Sequence, residues 1–269
     1  SLRKPQEESL QALAKAIEAA PDLLSSTQDI EALLKALTAE FPTLSDFERD
    51  FPSLCFALAT GVGKTRLMGA FISYLHLAQG IKNFFVLAPN LTIYNKLIAD
   101  FTPNNPKYVF TGIAEFSAYP PEIITGDNYE QRGPNLGMLS PVTINIFNIS
   151  KIVSEVRGGK APRIKRLTEV LGDSYFNHLS SLDDLVLLMD ESPRYRANAG
   201  MRAINELRPR LGLELTATPF TESKRGPVSF RNVVVDYPLA CALDDGFVKE
   251  PAVGTQRYFD FKQYTPEQL

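Results

Sequence analysis

The sequence predicts an α/β fold in which a mostly parallel central sheet carries helices on both faces and is preceded by an N-terminal helical extension. Apolar runs at 56–59, 142–147 and 185–189 are typical of strands that are buried on both faces of such a sheet. A helical pattern at 66–76 follows the first run directly, which is the strand–loop–helix order of α/β proteins. With 269 residues, 44% of them apolar, the chain can bury a large core.

The N-terminal segment is predicted to be helical. Leucine and isoleucine recur at helical spacing along residues 6–20, and a second helix is expected at 29–39. The hydroxyl residues at 25–27 are candidate caps for this second helix. Both helices are expected to pack on the rim of the sheet domain.

The stretch between 102 and 182 is rich in proline, and its strand signals are short. Strands are predicted at 108–110 and 122–125, and a longer one at 142–147. A polar turn is expected at 148–151, directly after the longest of these strands.

Residues 60–65 read TGVGKT and lie between the first strand and the following helix. Two glycines let backbone N–H groups turn toward phosphate oxygens, and the helix N-terminus adds its dipole. Lys64 can then reach the β and γ phosphates of a nucleoside triphosphate, while Thr65 binds Mg²⁺. The full pattern has glycine where Leu58 stands, so an ordinary glycine-rich turn is the alternative. The predicted nucleotide-binding residues in this segment are Thr60, Gly61, Val62, Gly63, Lys64, Thr65 and Arg66.

Asp190 and Glu191 follow directly on the strand at 185–189, at the edge where open α/β sheets bind ligands. One carboxylate can hold Mg²⁺ while its neighbour orients and deprotonates an attacking water. We therefore assign the metal to Asp190 and the catalytic step to Glu191. A further apolar run ends in the hydroxyls of Thr216 and Thr218, which are expected at the same edge.

The motifs A-T-G-V-G-K-T, D-E-S-P-R-Y-R-A and T-A-T-P, in this order and spacing, resemble motifs I, II and III of superfamily 2 helicases and translocases. Within that superfamily the likeness is greatest to the motor subunits of type III, and less so type I, restriction enzymes and to related DEAD/DEAH-box proteins. The resemblance implies a RecA-like P-loop NTPase lobe that uses ATP and Mg²⁺ and depends on DNA. The family's catalytic positions correspond here to Lys64, Asp190 and Glu191.

Other segments extend the resemblance toward both ends of the chain. Arg3 and Gln6 match an R-x-x-Q element that contacts adenine in the family. Pro89 and Asn90 close a segment similar to motif Ia, which touches the nucleic-acid backbone. Residues 237–248 resemble the segment that leads out of the first motor domain.

Motif II departs from the family pattern at Pro193, because family members commonly read D-E-A-H or D-E-S-H. The family's histidine is thought to couple the γ-phosphate to motif III, whose hydroxyls here are Thr216 and Thr218. Proline offers neither a ring nitrogen nor a backbone donor for that coupling. Asp190 and Glu191 still permit hydrolysis, so the departure concerns the coupling of hydrolysis to movement.

The resemblance divides the chain into a helical segment with the R-x-x-Q element at 1–52, a RecA-like ATP-binding domain at 53–250, and the start of a linker at 251–269. Superfamily 2 motors close two lobes around ATP, and the second lobe donates arginine fingers. Too few residues follow motif III to form a second lobe, so we expect the first lobe of a longer protein. Hydrolysis would then need the absent second lobe.

A formal net charge of −3 does not by itself indicate nucleic-acid binding, but helicase lobes grip phosphates through few groups. Residues 157–166 carry five basic and no acidic side chains. Arg163 and Lys165 are candidate nucleic-acid contacts there, although a solvated loop and helix face is the alternative. Asn148 is a further candidate. A second basic group after motif II could equally pair with acidic residues of the same lobe: Arg194, Arg196 and Arg202.

Composition and short motifs exclude several other classes of protein. The absence of a long apolar stretch and the polar N-terminus predict a cytoplasmic protein with no membrane partner. Cys55 and Cys241 lie among apolar residues and are predicted to be reduced thiols in the core. With only two histidines, histidine-based metal sites are disfavoured. An E-x-K match at 222–224 is too short to predict a nuclease, which, if present, lies outside the chain.

Two function classes remain. The first is the ATP-binding lobe of a helicase or translocase, the restriction subunit of a type III or related phage-defence system. Its partners would be double-stranded DNA and a modification or specificity subunit. The second is a nucleotide- or DNA-binding structural module in which Pro193 marks lost motor coupling. A P-loop kinase is disfavoured because the T-A-T-P and motif Ia-like segments would then have no role.

Overall fold

The computed structural model describes residues 2–129, 142–149, 153–154, 163–164, 173–191, 193, 196, 204–223 and 226–248. The strands within these ranges are β1 (Ser53–Leu58), β2 (Asn83–Ala88), β3 (Glu122–Thr125), β4 (Thr143–Asn148), β5 (Val153–Ser154), β6 (Arg163–Ile164), β7 (Leu185–Asp190), β8 (Leu211–Thr216), β9 (Phe220–Ser223), β10 (Gly226–Ser229) and β11 (Val233–Tyr237). Seven of them form one sheet in the order β11-β1-β8-β7-β2-β4-β3. Every pairing in this sheet is parallel, which confirms the predicted α/β class.

The helices are α1 (Lys4–Ala19), α2 (Ile30–Glu40), α3 (Lys64–Gln79), α4 (Leu91–Phe101), α5 (Ala114–Ala118), α6 (Asp173–Ser180) and α7 (Leu239–Asp244), with a 3₁₀ turn at Pro21–Leu24. The first two helices form the predicted N-terminal extension. The cap of α2 is Asp29, whose Oδ1 accepts from Ala32 N at 3.1 Å, so the predicted hydroxyl caps at 25–27 are wrong. A carboxylate one residue before the helix is better placed to reach its free N–H groups. Among the described helices, none has the length and apolar character needed to cross a bilayer.

The sheet is buried on both faces because alternate residues of its central strands face opposite ways. On one face, Leu188 of β7 and Leu213 of β8 belong to a large apolar cluster that also takes in side chains of α1, α2, α3 and α4. On the other face, Leu187 and Met189 pack with Phe176 and Leu179 of α6. The near-continuous apolar runs in the sequence therefore reflect a sheet with helices on both sides.

Two further predictions made from local sequence are wrong. The strand predicted at 108–110 is a turn, in which Tyr108 N donates to Asn105 O and Thr111 N donates to Tyr108 O. The apolar residues of this turn contribute to packing, since the ring centroids of Phe110 and Phe116 are 4.4 Å apart.

Cys55 is buried, as predicted, and burial raises the pKa of its thiol. Cys241 is exposed on α7 and is not a core residue.

Candidate functional site

The glycine-rich loop joins the C-terminal end of β1 to the start of α3. Gly61 and Gly63 both have φ in the left-handed region, at +91° and +95°, where residues with a Cβ are strained. Gly63 is the N-cap of α3, and Lys64 is the first helical residue. The first N–H groups of a helix have no partner inside the helix, so α3 presents them at this edge of the sheet. Thr60, Gly61 and Arg66 are exposed, whereas Val62 is buried.

The space around this loop also requires glycine. A Cβ on Gly63 would lie 2.6 Å from Gln6 Nε2, and one on Gly61 would lie 3.2 Å from Cγ2 of Val248. The loop is therefore held between the start of α1 and the segment after α7. The first of these segments carries the R-x-x-Q element expected at the site, whereas the second resembles the segment that leads out of the domain.

Arg3 and Gln6 contact the glycine-rich loop directly. Gln6 Nε2 donates to Val62 O at 2.9 Å and to Gly63 O at 3.0 Å, and its Oε1 accepts from Arg3 N at 2.9 Å. The Arg3 guanidinium donates to Gly61 O at 2.9 Å. Gln6 is 1% exposed, so its amide is held by the chain itself. The predicted contact of this pair with adenine stays a prediction.

Lys64 forms an ion pair with one member of the acidic pair at the end of β7, Glu191. Its Nζ lies 3.1 Å from Glu191 Oε1. Glu191 has φ +54°, which is unusual for a residue other than glycine and is a form of backbone strain found at functional sites. Lys64 and Glu191 lie close together because only β8 separates β1 from β7 and all three parallel strands end at the same edge of the sheet.

Asp190 is the last residue of β7 and is 7% exposed. Burial, reinforced by the Glu191 charge, raises the pKa of Asp190 to about 6, while the charges of Lys64 and Lys96 oppose the rise. Within the described residues, Asp190 Oδ1 is buried and has no hydrogen-bond partner. A buried carboxylate oxygen without a donor fits a metal ligand, and Mg²⁺ prefers one or two carboxylates together with phosphate oxygens.

Lys96 on α4 also reaches this cluster, which the sequence did not predict. Its Nζ donates to Thr65 Oγ1 at 2.8 Å and to Asp100 Oδ2 at 2.8 Å. The Lys96–Asp100 pair has the i,i+4 spacing that a sequence can reveal. Its contact with Thr65 depends on how α4 packs beside α3, and no local pattern carries that information.

Motif III lies at the end of β8, next to both other strands of the site. Thr216 is opposite Ala57 of β1, and its neighbour Leu215 is opposite Asp190 of β7. The Thr216 hydroxyl accepts from Thr218 N at 3.0 Å, which closes a tight turn. The structure therefore places Thr216 at the predicted edge, where it is buried, whereas Thr218 is exposed.

Arg196 follows the acidic pair along the chain and contacts Glu214 of β8. The Arg196 guanidinium donates to Glu214 Oε2 at 2.9 Å and to Asn232 Oδ1 at 2.8 Å, and it also pairs with Glu48. It lies over the Phe230 ring, 3.4 Å from the centroid. Of the two alternatives for this basic residue, internal pairing is therefore the one the structure supports. Arg194 and Arg202 lie outside the described residues.

Glu214 is the acceptor at the centre of this network. It is fully buried and accepts from Arg49 Nε at 2.9 Å, Ser53 Oγ at 2.7 Å and Asn232 Nδ2 at 2.9 Å, in addition to Arg196. Burial alone would raise its pKa, but the guanidinium groups of Arg49 and Arg196 with these hydrogen bonds lower the pKa to about 2. Glu214 therefore stays ionised in the core.

The candidate nucleic-acid residues are placed differently from one another. Pro89 is buried, and Asn90 caps α4 by accepting from Ile93 N at 2.9 Å. Asn148 is the last residue of β4 and is buried, so the strand runs one residue further than predicted. The end of the turn predicted at 148–151 lies outside the described residues. Arg163 lies in β6, and its side chain is outside the described part of the chain, as is the whole of Lys165. Their contact with nucleic acid stays a prediction.

The parallel sheet, the phosphate loop and the acidic pair define a RecA-like, helicase-like lobe of a P-loop ATPase. The chain belongs to the family described as "Type III restriction enzyme, res subunit", whose model matches residues 1–221. No curated protein matches the chain.

Three solved structures are among those similar to the chain. The SWI2/SNF2 ATPase core of Sulfolobus solfataricus in complex with dsDNA is 15% identical with a TM-score of 0.38, over 63% of this chain and 28% of that one. A nuclease-deletion mutant of the Type ISP restriction-modification enzyme LlaGI in complex with a DNA substrate mimic is 14% identical with a TM-score of 0.46, over 82% and 20%. The Pyrococcus furiosus Hef helicase domain is 19% identical with a TM-score of 0.38, over 71% and 33%. The chain thus spans a third or less of each of these structures.

Proposed function

We propose that this chain is the ATP-binding lobe of a DNA-dependent translocase or helicase, the restriction subunit of a type III restriction-modification or related phage-defence system. The observation that carries the proposal is the 3.1 Å contact between Lys64 and Glu191, next to the buried carboxylate of Asp190. A cation for phosphate, a metal ligand and a base thus converge at the edge of a parallel sheet where α/β proteins bind nucleotides.

Each of these groups has a role in phosphoryl transfer to water. The N–H groups of the loop and the start of α3 hold the phosphates, and the Lys64 ammonium stabilises their negative charge. Thr65 and Asp190 would hold Mg²⁺, which supplies further positive charge to the phosphates. Glu191 orients the attacking water and accepts its proton, as motif II glutamates do in the family the chain resembles.

The ion pair between Lys64 and Glu191 links phosphate binding to the base. Lys64 can hold the phosphates or neutralise Glu191, and a γ-phosphate competes with the carboxylate for the same ammonium. Once Lys64 binds phosphate, Glu191 loses its main cationic neighbour and becomes a better proton acceptor. Binding of the nucleotide would thus activate the base.

The proposed partners are double-stranded DNA and a modification subunit, in the cytoplasm. Membership of the family described as the res subunit of type III restriction enzymes supports this proposal. In related NTPases an arginine finger contributes roughly 10³ to 10⁵ in rate. We propose that a second lobe supplies this group, so that rapid hydrolysis requires the longer protein.

A second candidate function is favoured by Pro193. Without a histidine at this position, the lobe could close on nucleotide or DNA as a structural switch without driving movement. DNA-stimulated ATP hydrolysis by the complete protein separates the two functions. A motor predicts strong stimulation by DNA, abolished by Glu191→Gln and unchanged by Glu222→Gln, an exposed glutamate on β9. Nucleotide binding without DNA-stimulated hydrolysis would support the switch and contradict the motor.

A further inference from the structure

The ammonium of Lys96 reaches the magnesium side of the site from a different helix. Its Nζ donates to the Thr65 hydroxyl and to the Asp100 carboxylate, each at 2.8 Å. The Asp100 side chain is only 8% exposed, whereas that of Lys96 is 47% exposed. The buried Asp100 carboxylate therefore anchors a lysine whose stem remains accessible to solvent.

The ammonium of Lys96 already occupies the hydroxyl of Thr65, one of the two residues that are candidates to hold Mg²⁺. It thus places a positive charge where the metal ion would bind. A Mg²⁺ ion bound to the same hydroxyl would be a close neighbour of the ammonium, and like charges repel.

We propose that Lys96 is a tethered cation that Mg²⁺ must displace from Thr65. Through this competition Lys96 sets the magnesium concentration at which nucleotide is bound. This inference rests on the proposed nucleotide-binding function. The Lys96–Asp100 pair survives the displacement, because the two residues are one turn apart on α4. Lys96 thus acts on Mg²⁺ binding through Thr65, and its removal should make magnesium easier to bind.

A direct role in phosphate binding would have the opposite sign. If Lys96 were a phosphate ligand, its loss would weaken nucleotide binding, most clearly when no metal is present to share the charge. If it were only a surface ion pair with Asp100, its loss would change neither quantity. The sign of the change therefore distinguishes the three roles.

The test is a calorimetric titration of ADP into the chain at a series of Mg²⁺ concentrations and in EDTA. It compares the wild type with Lys96→Met, with Lys96→Arg, which keeps the charge, and with Lys35→Met, an exposed lysine on α2. Lys96→Met should lower the Mg²⁺ concentration for half-maximal binding by about twofold to fivefold, as expected for one partly exposed charge. ADP affinity in EDTA should not fall, and Lys96→Arg and Lys35→Met should keep the wild-type requirement.

Two results would overturn this inference but leave the proposed nucleotide site standing. A Mg²⁺ requirement that is unchanged or higher in Lys96→Met would exclude competition with magnesium. A loss of ADP affinity in EDTA would make Lys96 a phosphate ligand instead. ADP binding by none of the proteins, at melting temperatures that show them folded, would contradict the proposed nucleotide site and this inference with it.

Discussion

Lys64 Nζ lies 3.1 Å from Glu191 Oε1, so the lysine of the phosphate loop and the proposed base are each other's ion-pair partners. The Lys64 side chain is 12% exposed and that of Glu191 is 36% exposed. Both side chains therefore keep some exposure to solvent. Substitutions in the loop, in the acidic pair and in the elements that hold them therefore test this arrangement.

Replacing Gly63 with alanine is expected to destabilise the glycine-rich loop. The left-handed backbone costs about 1–2 kcal/mol for a residue with a Cβ, and Gln6 must also move and lose its hydrogen bonds to the loop. We expect Gly63→Ala to lower the free energy of unfolding by about 2–4 kcal/mol in urea titrations. Gly80→Ala is the matched control, because Gly80 also has positive φ but a Cβ there meets no atom within 4 Å. Equal losses in the two variants would show that the Gln6 contact contributes nothing.

Replacing Asp190 with asparagine is expected to stabilise the chain at neutral pH. The pKa of Asp190 is raised in the folded chain to about 6, so the folded state holds its proton more tightly than the unfolded state does. Stability is therefore lost as pH rises from about 4 to 6, and the uncharged amide of the variant avoids that loss. The gain should be about 1–3 kcal/mol at pH 7.5 and close to zero at pH 4.

Urea unfolding of the wild type and Asp190→Asn at these two pH values measures this gain. Glu222→Gln, at an exposed carboxylate, controls for the general effect of losing one negative charge. A stability difference that does not vary with pH would contradict the raised pKa. The same variant should bind Mg²⁺ more weakly, since an amide is a poorer magnesium ligand than a carboxylate.

The buried Glu214 is predicted to be essential for stability. Glu214→Gln leaves Arg49 and Arg196 without their shared counter-charge, and loss of one partner of a buried ion pair typically costs about 3–5 kcal/mol. Because the pKa of Glu214 is lowered to about 2, its contribution is complete above about pH 4.5 and is lost as the pH falls toward 2. Chemical unfolding at pH 7 and pH 3.5 should show the larger effect at pH 7. A loss below about 1 kcal/mol at pH 7 would mean that the arginines find other partners.

Placing a histidine at position 193 is predicted to improve the coupling of DNA binding to ATP hydrolysis. A histidine at position 193 supplies the ring nitrogens that Pro193 lacks. We expect Pro193→His to raise the DNA-stimulated ATPase rate of the complete protein while the rate without DNA stays nearly the same. Steady-state hydrolysis with and without double-stranded DNA measures both rates. Unchanged stimulation would show that coupling in this protein does not pass through position 193.

Much of the fold and the centre of the site could be predicted from sequence. The strands at 122–125, 142–147 and 185–189 are confirmed to within one residue, because apolar runs in a parallel sheet report burial directly. Lys64, Asp190 and Glu191 lie in short motifs at strand ends, and parallel strands bring their ends to one edge. Their proximity can therefore be predicted without knowing how the side chains pack.

Contacts that depend on packing could not be predicted in the same way. The partnership of Arg196 with Glu214 joins two segments through a buried charge, and a charged residue in a strand gives no sign of its partner. The contact of Lys96 with Thr65 requires the relative position of two helices. Cys241 has apolar neighbours along the chain yet is exposed, because α7 is short and buries only Ala242.

The most direct test of the proposed nucleotide site is calorimetric titration of the chain with ADP and with a non-hydrolysable ATP analogue in Mg²⁺. Wild type and Lys35→Ala, at an exposed lysine, should bind, and Lys64→Ala should bind about 10- to 100-fold more weakly because it loses a charged contact to phosphate. No binding by the folded wild type, or equal binding by Lys64→Ala, would contradict the assignment of this loop as a phosphate site.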